Sequence, residues 1–282
     1  MARIGVFNTL EIVKQVDFGV YLDGADLGEV LLPTKQVPAD SQVGDKVDVF
    51  IYLDSEDRII ATTRKPYAKV GEFASLEVVA VNDTGTFLDW GLEKDLMVPY
   101  GEQKQRLEVG KRYLVFIYID RVDRRITASA KIDKFLDHTE VKYQAGECVD
   151  LIIGGQTDLG FKAIVNSAHW GVIYKDEVFE YLKPGAKRKG YIKRIREDGK
   201  IDLSLTRPAG EQRDALSQKV LDELNKLGGY LAISDKSPPE VIYKKFSVSK
   251  RIYKQTIGGL FKQGLITIEP KGIRIKPSES ED

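Results

Sequence analysis

Residues 10–33 and 44–63 of this chain recur without a gap 66 positions later, at 76–99 and 110–129, with 17 identities over 44 aligned positions. A more diverged third copy lies 75 positions beyond the second. There Asp83, Gly85, Gly110, Ile126 and Ser129 recur as Asp158, Gly160, Gly185, Ile201 and Ser204. Internal repetition at a fixed period outranks other sequence signals, and a unit of about 65 residues can fold alone around a small core. Three copies of one small module point to a modular binding protein rather than to one active-site cleft.

Within the first copy, short apolar runs at residues 9–16, 20–22, 30–32, 46–54 and 59–63 are separated by turn residues. In the fourth run Val47, Val49, Ile51 and Leu53 share one face, and Asp48, Phe50, Tyr52 and Asp54 share the other. Five short strands with turns between them suit a small closed barrel better than a sandwich. The Phe50/Tyr52 pair and its repeat equivalent Phe116/Tyr118 lie opposite the apolar face. In acidic barrels they are expected to pack on a neighbouring barrel rather than to stack on bases.

After Pro208 the period becomes helical. Leu216, Val220, Leu224 and Leu227 form an apolar stripe that stops at Gly228 and Gly229. A short helix up to Phe246, a second over 250–263 capped by Ser249, and a hairpin around residues 269–272 complete a winged-helix pattern. In the second helix Ile252, Thr256, Ile257, Leu260 and Phe261 are expected inside, with Lys250, Arg251 and Lys254 outside as candidate nucleic-acid contacts. The chain is therefore read as mainly β: three five-stranded closed barrels at 1–66, 67–142 and 143–208, then a winged-helix domain at 209–276. Residues 277–282 are expected to form a disordered tail. Short connectors are expected near 65–69, 132–145 and 207–211.

The 43 basic and 43 acidic side chains balance overall but not locally. The four segments carry net charges of −4, −1, +2 and +3 in order, so a polyanion would be met by the C-terminal half. Residues 183–196 hold seven cations before the first acid, Glu197. There Lys189, Tyr191, Lys193 and Ile195 alternate with Arg188, Gly190, Ile192 and Arg194, and Lys187 and Lys200 extend the stripe. A cationic strand with an interleaved aromatic is a footprint for single-stranded nucleic acid, or else a solvated edge blunted by charge.

The turn Asp17-Phe18-Gly19-Val20-Tyr21, the pattern running from Gly110 to Asp123-Arg124-Arg125-Ile126 and the ending Ile201-Asp202-Leu203-Ser204 resemble the RNA-binding domain named after ribosomal protein S1, which implies that each five-stranded barrel is an OB-fold. Three such barrels plus a helical C-terminal module are similar to the bacterial conserved virulence factor B (CvfB) family. The resemblance implies outward ligand-facing positions on the second strand at Phe18 and Tyr21, Thr84 and Phe87, and Leu159 and Lys162. It places a third-strand contact at Leu31, Met97 and Tyr174.

Enzymatic chemistry is not expected. The chain has no Walker-type glycine loop, no HExxH and no calcium-loop pattern. Its two histidines, His138 and His169, and its single cysteine, Cys148, cannot form a zinc set, so no cofactor and no metal are expected. His169 reads as a loop or packing residue and Cys148 as a small buried strand residue. With no internal disulfide, no apolar run of membrane-spanning length and no secretory signal at the start, a cytoplasmic monomer is expected. Two functions stay open. One is a single-stranded RNA-binding regulator of gene expression using the third barrel and the winged helix. The other is a double-stranded DNA-binding regulator with the barrels as a docking arm for protein.

Overall fold

The computed structural model describes residues 1–175, 178, 181–207 and 209–276, and of 209–214 only the backbone. The first copy supplies β1 (Phe7–Val16), β2 (Gly19–Asp23), β3 (Glu29–Pro33), β4 (Lys46–Leu53) and β5 (Ile59–Thr62), closed in the order β1-β2-β3-β5-β4. The second supplies β6 (Phe73–Asn82), β7 (Gly85–Asp89), β8 (Leu96–Pro99), β9 (Arg112–Ile119) and β10 (Ile126–Ser129) in the equivalent order. Here β8 and β10 lie side by side without the ladder bonds that shut the first barrel. The third copy, β11 (Cys148–Thr157), β12 (Gly160–Val165), β13 (His169–Tyr174), β14 (Lys187–Ile195) and β15 (Ile201–Ser204), closes again through the parallel pair β13/β15.

Two devices recur at one repeat position in all three copies. The first long strand carries a bulge, at Ile12/Lys14, Val78/Ala80 and Ile153/Gly155, which bends it around the barrel. The glycine opening the second strand, Gly19, Gly85 or Gly160, faces a carbonyl of the third strand so closely that a Cβ would collide with it. Alternation then fills each barrel from one face: Val47, Val49 and Ile51 point inward in the first, Val149 and Leu151 in the third. The same parity turns Cys148, with Asp150, outward, so the cysteine expected to be buried is exposed.

The C-terminal module contains α1 (Ala209–Lys226), β16 (Tyr230–Leu231), α2 (Pro239–Phe246), α3 (Lys250–Lys262), β17 (Ile266–Glu269) and β18 (Gly272–Ile275). Its sheet, β16-β18-β17, has one strand more than the expected hairpin, because Tyr230 and Leu231 pair with Arg274 and Ile273. Helix α1 begins inside the stretch expected to be a connector. On α3 the side chains turned into the core are Tyr253, Thr256, Ile257 and Leu260, an i, i+3, i+4, i+7 stripe. Phe261, expected inside, falls off that stripe and is 52% exposed. Tyr253 is fully buried because its hydroxyl donates to the Ile233 carbonyl at 2.9 Å. The Ser249 side chain caps α3, accepting from the Ile252 N–H. The tail at 277–282 lies outside the described residues.

The chain divides into two compact units. One comprises Met1–Tyr143, Val149–Lys189 and Ile195–Leu203; the other comprises Gln144–Cys148, Gly190–Arg194 and the chain from Ser204 onward.

Candidate nucleic-acid interface

In the first compact unit the outward aromatics of one barrel are absorbed by the next. Phe50 and Tyr52 are 0% and 4% exposed, and they join the apolar cluster built from Leu76, Leu88, Trp90 and Val115 of the second copy. The Phe50 and Trp90 rings meet edge to face at 5.8 Å. One repeat later Phe116 stacks on Phe135 at 4.1 Å, beside a cluster in which Phe73, Ile132 and Leu136 pack on Ile152 and Ile164 of the third copy. Burying such a ring contributes about 1.5–3 kcal/mol, far more than exposure on an acidic barrel could. The expectation that these pairs pack rather than stack on bases is met at Phe50, Tyr52 and Phe116. Tyr118 is half-buried beside Phe135 of its own copy at 5.5 Å, and burial, then the Glu102 carboxylate, pushes its phenol up to about 12.

The expected ligand faces of the first two barrels therefore differ. Phe18 stands 58% exposed at the β1–β2 turn, edge-on to Tyr21, over which Lys14 lies at 5.7 Å. Phe87 is half-buried in a cleft of about 570 Å³ walled by Tyr52 and Asp57 of the first copy and by Trp90, Asp95 and Met97 of the second. Lys94 and Arg125 both pair with Asp57 there. Burial, then the neighbouring Asp89, holds the Asp95 carboxyl above the usual range, and the cleft's lining sets Asp57, Glu93 and Asp95 against Lys94 and Arg125. That rim opposes phosphate.

The third barrel splits its expected site residues into two sets. Lys162 and Tyr174 belong to the outer face of β12 and β13, whereas Lys187, Arg188, Lys189, Tyr191, Lys193 and Arg194 belong to β14. In the strand order β14 is separated from β12 by β11 and from β13 by β15. The Lys162 ammonium lies 4.0 Å above the Trp170 ring and 3.6 Å from Asp133. Asp133 also pairs with Lys104 and accepts the Trp170 indole N–H at 3.0 Å. The hydrogen bond from Lys104, with the charges around it, holds the Asp133 carboxyl below the usual range.

The register corrects one position. Tyr21 pairs with Leu31 and Phe87 with Met97, but Lys162 pairs with Val172. Val172 thus occupies the third-strand position assigned to Tyr174, which instead pairs with Gly160 as Pro33 does with Gly19. Residues two apart share a strand face, so the alternation could not tell them apart. The Tyr174 hydroxyl donates to Asp202 at 3.1 Å and accepts from Arg196, whose Nε donates to the same carboxylate at 2.8 Å.

Along β14, Gly190 and Ile192 face the barrel, Tyr191 is half-buried, and Lys187, Arg188, Lys189, Lys193 and Arg194 are exposed. Lys189 pairs with Asp150 at 2.8 Å and Lys200 with Asp198 at 2.8 Å. The Tyr191 hydroxyl accepts from Arg207 Nε at 3.0 Å. His169 begins β13 rather than lying in a loop. It is 4% exposed, with Tyr143 and Thr139 on its two ring nitrogens, which makes it a packing residue. On the winged helix Arg251 and Lys254 are exposed and Lys250 is half-buried.

Trp170, Asp133, Asp202 and Arg207 escaped the reading of the sequence as site residues. Trp170 alone carried a signal, since it alternates in phase with Val172 and Tyr174. Among the described residues no helix is long and apolar enough to cross a membrane, and no group of three or more His, Cys, Asp or Glu side chains could hold a metal ion.

The S1 domain family model matches residues 4–64 and 70–131, and that of the CvfB-like winged helix domain matches residues 218–275. The protein YitL of Bacillus subtilis is 30% identical, over 94% of this chain and 91% of its own length. Conserved virulence factor B of Staphylococcus saprophyticus is 25% identical, over 94% and 92%. A crystal structure of a multidomain protein with nucleic acid binding domains from Streptococcus pneumoniae is 22% identical, covering 97% of this chain and 98% of its own at a TM-score of 0.41. S1 barrels and winged helices are nucleic-acid-binding types of domain. With that barrel order, that C-terminal module and relatives matched nearly end to end, the chain belongs to the bacterial conserved virulence factor B family.

Proposed function

We propose that this chain is a non-enzymatic, single-stranded RNA-binding regulator of gene expression, acting as a cytoplasmic monomer through its third barrel and winged helix. The observation that carries the reading is β14, where five exposed cations flank a half-buried tyrosine on one strand of the barrel. Bases stack on aromatic faces while phosphates meet cations, and a single strand can bend to satisfy both. The first two barrels support the same division of labour: their net charge is negative, and Phe50, Tyr52 and Phe116 are committed to packing. Competition against a labelled single-stranded RNA bound to the intact protein tests it. Unlabelled single-stranded RNA is expected to displace the probe at concentrations where duplex DNA does not.

A second reading, duplex DNA recognition by α3, is favoured by Arg251 and Lys254, both exposed on that helix. Neither has an ion-pair partner among the described residues. Displacement by duplex DNA, and not by RNA, would put this reading first.

A further inference from the structure

Within the second compact unit a cavity of about 390 Å³ is lined by Thr206, Arg207, Lys219 and Ser247 over an apolar floor that includes Leu216 and Phe246. Among the described residues its lining holds two cations, two hydroxyls and no carboxylate. The contrast with five other cations of this basic surface is chemical. Lys162, Lys189, Arg196, Lys200 and Lys245 are each neutralised by an acid. Lys219 has no hydrogen-bond or ion-pair partner among the described residues, and Arg207 has only the Tyr191 hydroxyl, which takes its Nε and leaves both terminal nitrogens for another acceptor.

A guanidinium fixed through Nε presents its remaining donors in a fork that suits phosphate oxygens. Ser247, the left-handed residue that ends α2 at φ 57°, lines the cavity beside Phe246, which is 5% exposed. Polar, cationic walls over a small apolar floor match one nucleoside phosphate, and the volume falls in the roughly 300–1,000 Å³ range of small-ligand clefts. We infer that this cavity binds one nucleotide unit, its phosphate between Arg207 and Lys219 and its base against the apolar floor. The inference rests on the RNA-binding reading and adds to it a discrete site that neither the S1 face nor α3 supplies.

The test measures affinity of the full chain for a single-stranded RNA at several salt concentrations. Arg207→Ala and Lys219→Ala are each expected to flatten the slope of log affinity against log salt by about 0.7, the value for one phosphate of a single strand that is no longer neutralised. Arg207→Lys should keep the slope while losing the Tyr191 bond, which separates charge from folding; thermal melts check that each variant folds. If the parent chain binds no RNA, the RNA-binding reading itself falls. If the parent binds and both alanine variants keep its affinity and slope, the cavity inference falls and the wider reading stands. A second arm titrates uridine monophosphate. Saturable binding lost in Lys219→Ala, with RNA binding unchanged, would overturn the RNA assignment and give the cavity to a free nucleotide.

Discussion

Asp202 is 1% exposed on β15, and its carboxylate is held by Arg196 and by the Tyr174 hydroxyl. Hydrogen bonds to a charged group are worth about 1.5–3 kcal/mol, and Arg196, 28% exposed, can turn to water, so Asp202→Ala is expected to cost about 2 kcal/mol, read by urea denaturation. The same cluster separates two roles of Tyr174. Tyr174→Phe keeps the ring and should retain RNA affinity at about 1 kcal/mol of stability, whereas Tyr174→Ala should weaken binding by about 1–3 kcal/mol if a base stacks there. Equal losses in both variants would show that the ring does not meet a base. The contribution of Asp133 to stability depends on pH. Its folded-state pKa is depressed, chiefly by the hydrogen bond from Lys104, so the stability it contributes is present above its unfolded value near pH 4 and is lost as pH falls through the folded value. Its side chain is 49% exposed, so the contribution is at most about 1 kcal/mol. Asp133→Asn should be destabilised relative to the parent at pH 7 and should converge with it near pH 2. Such pairings were not legible in the sequence, because Asp133 and Lys162 meet only after two barrels have packed.

At the scale of elements, the strands were legible and their environment was not. The five runs expected in the first copy lie within about two residues of β1 to β5, since alternation and turn chemistry are local. On α3 the stripe was read one residue out at Phe261 and missed Tyr253, because a tyrosine is buried only where its hydroxyl finds an acceptor, here the Ile233 carbonyl. The short strand β16 was missed for a similar reason: two residues pair only once β18 lies beside them. The repeated turn glycine gives the prediction at this scale. Gly160 has φ +148° and abuts the Ile173 carbonyl, whereas Gly199 has φ +77° with open space around it. Gly160→Ala is expected to cost at least about 2–3 kcal/mol and Gly199→Ala about 1 kcal/mol, compared by thermal unfolding. A Gly160→Ala protein as stable as the parent would mean that the turn can be rebuilt without its glycine.

For the chain as a whole, the decisive packing lies between copies. The short connector expected near 65–69 is tied down. The Tyr67 N–H donates to the Trp90 carbonyl at 2.8 Å and the Val70 N–H to the Gly5 carbonyl at 2.9 Å. Trypsin is therefore expected to spare Arg64 and Lys69 in the parent chain under conditions that cut elsewhere, Lys65 being shielded in any state by the following Pro66. Phe50→Ala, which empties a ring from the shared core, should cost about 3–5 kcal/mol and open those sites to cleavage. Early cleavage there in the parent would show the two barrels to be independent.

Phe50 and Phe116 stand at one position of the repeat, and the third copy puts Tyr191 there, bonded to Arg207. The residue that builds the seam is thus part of the unit that was duplicated. Each daughter copy was born carrying the means to dock on whatever followed it, so lengthening this chain required no new surface to evolve. At that one position the copies differ by a hydroxyl: phenylalanine where another barrel follows, and tyrosine where the series of barrels stops.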